Sequence, residues 1–403
     1  MAKLRGNAIV GQSGGPTMVI NQSLVGVIEA ADACSEIETL FGARHGMEGV
    51  LKEDFVNLST QPKALLEKVA KTPGAALGST RRKPTEELCL EMFEVMRKHN
   101  VRFFFYIGGN DTAEACQIVN EKSLEAGYEL RCFHVPKTID NDLLVTDHCP
   151  GYGSAARFVA SAFIGDNLDN RSLRGVKINV VMGRNAGFLT AASALARRRK
   201  DDGPHLIYLP ERPITREQLR DDVAAVYERL GRCVVAVSEG IEDAASPEKK
   251  TFAEVIKESL EVSEFGDFQL SGSGALGDWL AAYVRESMPK ARLRADTFGY
   301  MQRSLPNAIS KVDSAEAREV GRKAVEFATH ADVDGSVVIV RLPGRRYAVE
   351  YDRTELGNVA RKTKKMPDEF IAPSGNDVTR KFLAYARPLA GRLPAVGYLE
   401  GIY

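Results

Sequence analysis

Two turns, Gly108-Gly109-Asn110-Asp111-Thr112 and Pro136-Lys137-Thr138-Ile139-Asp140-Asn141-Asp142, decide how this chain folds. An apolar, β-type run precedes each: Phe103 to Ile107 before the first, Cys132 to Val135 before the second. Both polar turns therefore sit at the carboxyl ends of strands, where open α/β sheets bind their ligands. The residue types converge on one chemistry. Paired glycines let a phosphate approach the backbone, and carboxylates hold Mg²⁺ or take a proton from an attacking hydroxyl. A lysine within such a turn reaches a further phosphate oxygen. Together the turns describe a phosphoryl-transfer site, whereas a glycine-acid turn alone is an ordinary βα connection.

Outward from these turns, apolar β-type runs alternate with amphipathic helical stretches. The pattern predicts strands over 7–11, 37–41, 102–107, 131–135, 176–182, 205–209, 233–238, 336–342 and 346–351. It predicts helices over 21–33, 63–71, 85–99, 112–125, 155–168, 186–198, 216–230, 252–262, 276–286 and 315–329. Such alternation predicts doubly wound parallel sheets. A chain of 403 residues exceeds one simple core, so two domains are expected. Lys+Arg and Asp+Glu balance at 54 each, which argues against a nucleic-acid binder while leaving room for a local basic pocket. The six cysteines form no Cys-x-x-Cys pair and no zinc spacing with the histidines, as in a reduced cytoplasmic protein. No segment reaches membrane-spanning length, so no membrane partner is expected.

Further segments carry chemistry-bearing residues. Gly11-Gln12-Ser13-Gly14-Gly15-Pro16-Thr17 joins a strand to a helix, so its amides can cradle a phosphate. It lacks both the GxGxxG spacing and the GK[ST] ending, which disfavours a dinucleotide fold or a P-loop. Gly78-Ser79-Thr80-Arg81-Arg82 offers the arginine fork that suits a diphosphate. Met182-Gly183-Arg184 and Ser238-Glu239-Gly240 end strands, and Phe298-Gly299-Tyr300-Met301-Gln302-Arg303 follows later.

In order and spacing these segments resemble the phosphofructokinase family, whose signatures are a GGDG-type loop and a TIDND loop. The details resemble its pyrophosphate-dependent members. Asp111 stands where ATP-using enzymes usually carry glycine, and Lys137 where they usually carry a second glycine. The resemblance covers residues 7 to 330. It implies two similar doubly wound α/β domains with mainly parallel sheets and an active-site cleft between them. Residues 1–150 and 304–365 would form the pyrophosphate domain, and 151–303 with 366–403 the sugar-phosphate domain. It implies reversible phosphoryl transfer from pyrophosphate to the 1-hydroxyl of fructose 6-phosphate, with Mg²⁺, in a cytoplasmic homodimer or homotetramer.

The resemblance also assigns roles. Asp140 is the general base, Asp142 supports it, and Thr138 and Ile139 contact the substrate. Lys137 neutralises charge on the leaving group. Asp111 fills space that an ATP α-phosphate would need and repels it. Gly15, Arg81 and Gly109 face the diphosphate. Asn110 stands at the metal-proximal position, where a neutral amide replaces the common aspartate. Met182, Gly183, Arg184, Glu239, Tyr300 and Arg303 form the sugar-phosphate set, with Arg303 on the 6-phosphate. Arg294 matches an arginine that reaches a neighbouring subunit's substrate. An arginine often found seven residues before Met182 is replaced by Gly175, flanked by Arg174 and Lys177.

Three rivals remain at this point: an ATP-dependent phosphofructokinase, a regulatory subunit that has lost catalysis, and a more distant kinase acting on NAD or a lipid. Glycines at 111 and 137 would favour the first, loss of Asp140 the second. The third is disfavoured by Arg184 and Arg303, which suit a sugar phosphate. In bacterial ATP-dependent relatives the helix after the first glycine-rich loop carries arginines for phosphorylated effectors. Here Val25 and Glu29 stand at those positions, so a non-allosteric enzyme is expected.

Overall fold

The computed structural model describes residues 3–259 and 274–399. The chain divides into two compact units, Met1–Ala155 with Tyr300–Met366, and Ala156–Gly299 with Pro367–Tyr403. The crossings fall at 155/156, 299/300 and 366/367, against the expected 150/151, 303/304 and 365/366. Tyr300 and Arg303 thus group with the first unit rather than the second.

The first unit contains strands β1 (Gly6–Gln12), β2 (Ile37–Ala43), β3 (Phe55–Asn57), β4 (Val101–Gly108) and β5 (Arg131–Pro136). The second contains β6 (Val176–Val181), β7 (Leu206–Tyr208), β8 (Cys233–Ser238) and β9 (Leu293–Thr297). After the return to the first unit come β10 (Gly335–Arg341) and β11 (Val349–Thr354). Among the described residues the first sheet has seven strands in the order β11-β10-β5-β4-β1-β2-β3, and the second has four in the order β7-β8-β6-β9. Among these strands the pairings are parallel except at the two edges of the first sheet, β2–β3 and β10–β11.

The continuous apolar runs arise because helices cover both faces of the first sheet. Alternate side chains point to opposite sides. Val10, Phe103, Phe105, Ile107 and Val135 pack against the helices Ile20–Asp32 and Lys311–His330. Ile9, Phe104, Tyr106 and Cys132 pack against Glu86–Lys98 and Asn110–Glu125. In the second unit, Ile178, Val235 and Val237 meet the helices Arg216–Leu230 and Ala275–Ser287. Trp279 packs at the margin of this cluster, stacked on Tyr283 with ring centroids 6.4 Å apart.

Some elements differ from the sequence pattern. The helix expected over 186–198 is a short turn, Phe188–Ala191, continued as a 3₁₀ helix, Ala192–Ala196. Arg197 then pairs with Asp377 at 2.8 Å instead of ending a helix. The last strand begins at Val349, three residues later than expected, because 342–348 form the hairpin connection. The helix Phe252–Ser259 begins as expected, while the expected end at Val262 lies outside the described residues.

Candidate active site

In the first sheet β5, β4 and β1 lie side by side, so their carboxyl-terminal turns are neighbours. The chain runs from β1 outward to β2 on one side and has β4 on the other, which makes the β1–β4 boundary a topological switch point. Backbone bonds fasten the turns together. Ser13 N donates to Ile107 O at 2.9 Å, and Lys137 N donates to Gly108 O at 2.9 Å. Gly14 N donates to Thr80 O at 2.9 Å, and Ser79 Oγ to Gly14 O at 2.6 Å, so the Arg81 turn is tied to the glycine loop.

Lys137 is buried, and its Nζ donates to Gly15 O at 2.7 Å. Burial, reinforced by the Arg303 guanidinium and opposed by Asp140 and Asp142, pushes its ammonium down to about 7. Arg303 rests on the same loop. A Cβ at position 15 would overlap its guanidinium nitrogen, so a larger residue there would push this arginine off the loop. The Tyr300 ring lies 4.4 Å from the Arg303 guanidinium carbon and holds it by a cation–π contact. Lys137, Arg303 and the exposed Arg81 are thus the cations gathered by the glycine loop: burial first, then the neighbouring guanidinium charge, pushes both Lys137 and Arg303 down. A concentrated cationic field over glycine amides is a seat for a polyanion such as a diphosphate.

The carboxylates stand on the next turn. Asp140 is half-buried, and its backbone N–H donates to Thr138 Oγ1 at 3.1 Å. Asn141 occupies a left-handed conformation with φ 60, and its Oδ1 accepts Cys149 N at 2.9 Å, which closes the turn. Asp142 is buried, and burial pushes its carboxyl up despite hydrogen bonds from Thr138 and Asn110. Asn110 Nδ2 donates to Asp142 Oδ2 at 3.1 Å. Its own Oδ1 is buried without a hydrogen-bond partner. A shielded carbonyl oxygen with no donor, beside a carboxylate, suits a hard cation. Among the described residues no group of three His, Cys, Asp or Glu side chains forms a metal cage.

Asp111 opens the first turn of the helix Asn110–Glu125, where its charge favours the helix dipole. Its side chain is 83% exposed and lies 3.5 Å from Lys83 Nζ. Gly109 precedes that helix in extended conformation. Ile139 is buried.

The second unit repeats the logic on adjacent strands β8, β6 and β9. Met182, Gly183 and Arg184 follow β6, and Glu239 follows β8. The two turns abut: Ser238 Oγ donates to Gly183 O at 2.6 Å, and Glu239 N to Val181 O at 2.9 Å. Arg184 is exposed. Arg294 is exposed on the outer strand β9, with its Nη1 on Leu293 O at 2.9 Å. Gly175 has φ 156, and a Cβ there would collide with the Arg292 carbonyl. The backbone thus forbids an arginine at this position. Lys177 does not replace it, being paired with Asp166 at 2.6 Å and Asp169 at 2.5 Å.

Residues that the sequence pattern did not single out brace the Asp140 turn from behind. His148 lies 2.7 Å from both Asp147 Oδ2 and Glu316 Oε2, and Tyr347 donates to Glu316. Burial opposes its charge, but the two carboxylates outweigh it and hold the imidazole above its ordinary range. Asp313 accepts Gly151 N and Ser154 N at 2.8 Å each, and burial pushes its carboxyl up to about 6. At the position of the expected missing effector site, Val25 is buried, and Glu29 is bound by Arg318 at 2.5 Å and Arg322 at 2.7 Å.

Comparison with known proteins converges on one family. The family described as phosphofructokinase matches residues 7–328. The chain is 52% identical over 388 residues to the pyrophosphate–fructose 6-phosphate 1-phosphotransferase of Rhodospirillum rubrum, covering 96% of this chain and 95% of that one. It is 37% identical to the enzyme of the same name from Xanthomonas campestris, covering 98% and 94%. Among solved structures, the pyrophosphate-dependent phosphofructokinase of Nitrosospira multiformis superposes with a TM-score of 0.86 at 32% identity, covering 98% and 95%.

Proposed function

The chain belongs to the phosphofructokinase family, and we propose that it catalyses reversible phosphoryl transfer from pyrophosphate to the 1-hydroxyl of fructose 6-phosphate. The products are fructose 1,6-bisphosphate and phosphate. The observation that carries this reading is Lys137, a buried ammonium held on the glycine loop by Gly15 O. A bound diphosphate adds to the counter-charge of Asp140 and Asp142, which does not outweigh burial in the free protein. Asp111, at the head of its helix, sets a negative charge against a longer nucleotide chain.

In the forward direction the sugar O1 attacks the terminal phosphorus of pyrophosphate. Asp140 takes the O1 proton as the new P–O bond forms, and the bridging P–O bond breaks. Lys137, with Arg81 beside the loop, neutralises the charge that collects on the departing phosphate. Thr138 orders the turn through the Asp140 N–H. We assign Met182, Gly183, Arg184, Glu239, Tyr300 and Arg303 to the sugar phosphate, and Gly15 and Gly109 to the diphosphate. Mg²⁺ is the ion that Asn110 Oδ1 and Asp142 would hold, together with the diphosphate. When bound it supplies positive charge to the diphosphate oxygens. The working form is a cytoplasmic homodimer or homotetramer, in which the exposed Arg294 is available to a neighbouring copy. Among the described residues no helix is long and apolar enough to cross a membrane.

The test is a rate measurement with purified protein, fructose 6-phosphate and Mg²⁺, offering pyrophosphate or ATP at matched concentration. Pyrophosphate is expected to win by orders of magnitude. Equal or faster turnover with ATP rejects the donor assignment.

Arg303→Ala tests the acceptor side. A charge-assisted hydrogen bond is worth roughly 1.5–3 kcal/mol, so KM for fructose 6-phosphate is expected to rise about tenfold or more, and far more than KM for pyrophosphate. Because Arg303 also rests on Gly15, a rise confined to pyrophosphate would assign this arginine to the donor instead.

A further inference from the structure

The carboxylate turn is held by a chain segment distant in sequence. After the short helix Leu356–Val359, the buried Val359 and Ala360 pack with Leu143, Cys149 and Ala113 in one apolar cluster. This seat places the segment against the chain that runs on from Asp142. Lys364 then makes three bonds to it. Its backbone N–H donates to Asp142 O at 2.7 Å. Its Nζ donates to Thr146 O at 3.0 Å and to Asp147 O at 2.9 Å. The same stretch is anchored to β10, where Ile339 N donates to Thr146 Oγ1 at 2.9 Å and Asp147 N to Ile339 O at 2.8 Å.

We infer that Lys364 is a positioning residue for phosphoryl transfer, fixing the turn that carries Asp140 and Asp142 by binding its backbone at Asp142, Thr146 and Asp147. This rests on the reading of Asp140 as the base. The geometry explains why a cation stands here. Two backbone carbonyls converge on one ammonium, an arrangement that three rotatable donors satisfy and an apolar side chain does not. Burial pushes this ammonium down from lysine's ordinary range, and the facing Asp142 and Asp147 carboxylates hold it up. Lys364 touches neither phosphate nor sugar in this assignment. Its effect runs through the placement of Asp140, where a displacement on the order of 1 Å costs roughly 10²-fold in rate.

The experiment compares Lys364→Met and Lys364→Arg with the wild-type full chain, in both reaction directions, beside Asp140→Asn. Met keeps the backbone N–H to Asp142 but removes the ammonium donors, whereas Arg keeps charge and donors. The expected result for Met is a kcat loss of roughly 10- to 100-fold, with both KM values within about threefold. Arg is expected to recover at least about tenfold of that loss. A purely structural lysine moves neither the kcat-to-KM split nor the order of the two variants. The inference is overturned if Met stays within about threefold of wild-type kcat, if the loss appears in KM, or if activity falls only with the folded fraction in a thermal melt. It is also overturned if Arg is no better than Met. Should Met fail to fold, Lys364→Gln, which keeps one amide donor, takes its place: a kcat loss at little-changed KM that Arg recovers supports the inference, and a folded Gln variant within about threefold of wild-type kcat rejects it. If Asp140→Asn alone retains full rate, the base assignment fails and this inference falls with it. If Asp140→Asn is dead while Met is active, only the positioning role is lost.

Discussion

Asp140→Asn lowers kcat by at least about 10²-fold, and up to about 10⁴-fold, in both reaction directions, with modest change in either KM. The substitution preserves size and the turn. The backbone N–H of residue 140 still meets Thr138 Oγ1, and Asn141 still closes the loop onto Cys149 N. Basicity is removed, together with one of the two carboxylate charges that help hold the Lys137 ammonium up. Because one residue takes the proton forward and returns it in reverse, microscopic reversibility requires both rates to fall together. Steady-state rates with each substrate pair, at saturating Mg²⁺, make the measurement. A variant near wild-type kcat rejects Asp140 as the base. Asp142 would be the next candidate, since burial pushes its carboxyl up toward the working pH. Asp142 is the weaker choice on geometry, because its Oδ2 already accepts Asn110 Nδ2 at 3.1 Å.

How far this site was legible from sequence depends on whether its residues lie at the ends of central strands. β4 and β5 are buried on both faces, so Phe103–Ile107 and Cys132–Val135 stand out as unbroken apolar runs, and the turns after them stand out as polar. Edge strands leave no such mark. β9, which carries Arg294, reads Leu-Arg-Ala-Asp-Thr because only one side of it packs on the core, and β3 is three residues long. The C-terminal helix Arg380–Ala390 was hidden by Pro388 within it and by its mixed composition. Lys364 was concealed for a different reason. It lies in the run Arg361-Lys362-Thr363-Lys364-Lys365, which by composition is a solvated charge cluster. Arg361, Lys362 and Lys365 are indeed exposed, and only the fold turns one member inward. The bracing set of His148, Glu316 and Asp313 is likewise assembled from positions far apart in the chain. Nothing local marks a carboxylate whose partner is more than 150 residues away.

Lys137→Met separates the electrostatic cost of the glycine loop from its catalytic use. The wild-type ammonium titrates near 7 in the fold, against 10.5 for an unhindered lysine. Between those values the unfolded chain binds more protons than the folded one. Stability from this group therefore rises with pH across that window and is lowest below about 7. Methionine removes the buried charge and with it this dependence. The variant's melting temperature is expected to exceed wild type at pH 6–7, by an amount that shrinks toward pH 10. Loss of the donor to the part-buried Gly15 O offsets some of the gain, by less than the roughly 1–3 kcal/mol that a fully buried orphaned carbonyl costs. Activity moves the opposite way. A cation aimed at charge developing on the leaving phosphate is worth roughly 10²- to 10³-fold, so kcat with pyrophosphate is expected to fall by that factor. A melting-temperature difference that stays constant from pH 6 to pH 10 would show that Lys137 ionises as an ordinary lysine. A variant that keeps its kcat would show that the leaving phosphate is neutralised elsewhere, with Arg81 and Arg303 as the remaining cations at the loop. Stabilisation paired with loss of turnover is the signature of a charge kept buried for the anion it meets.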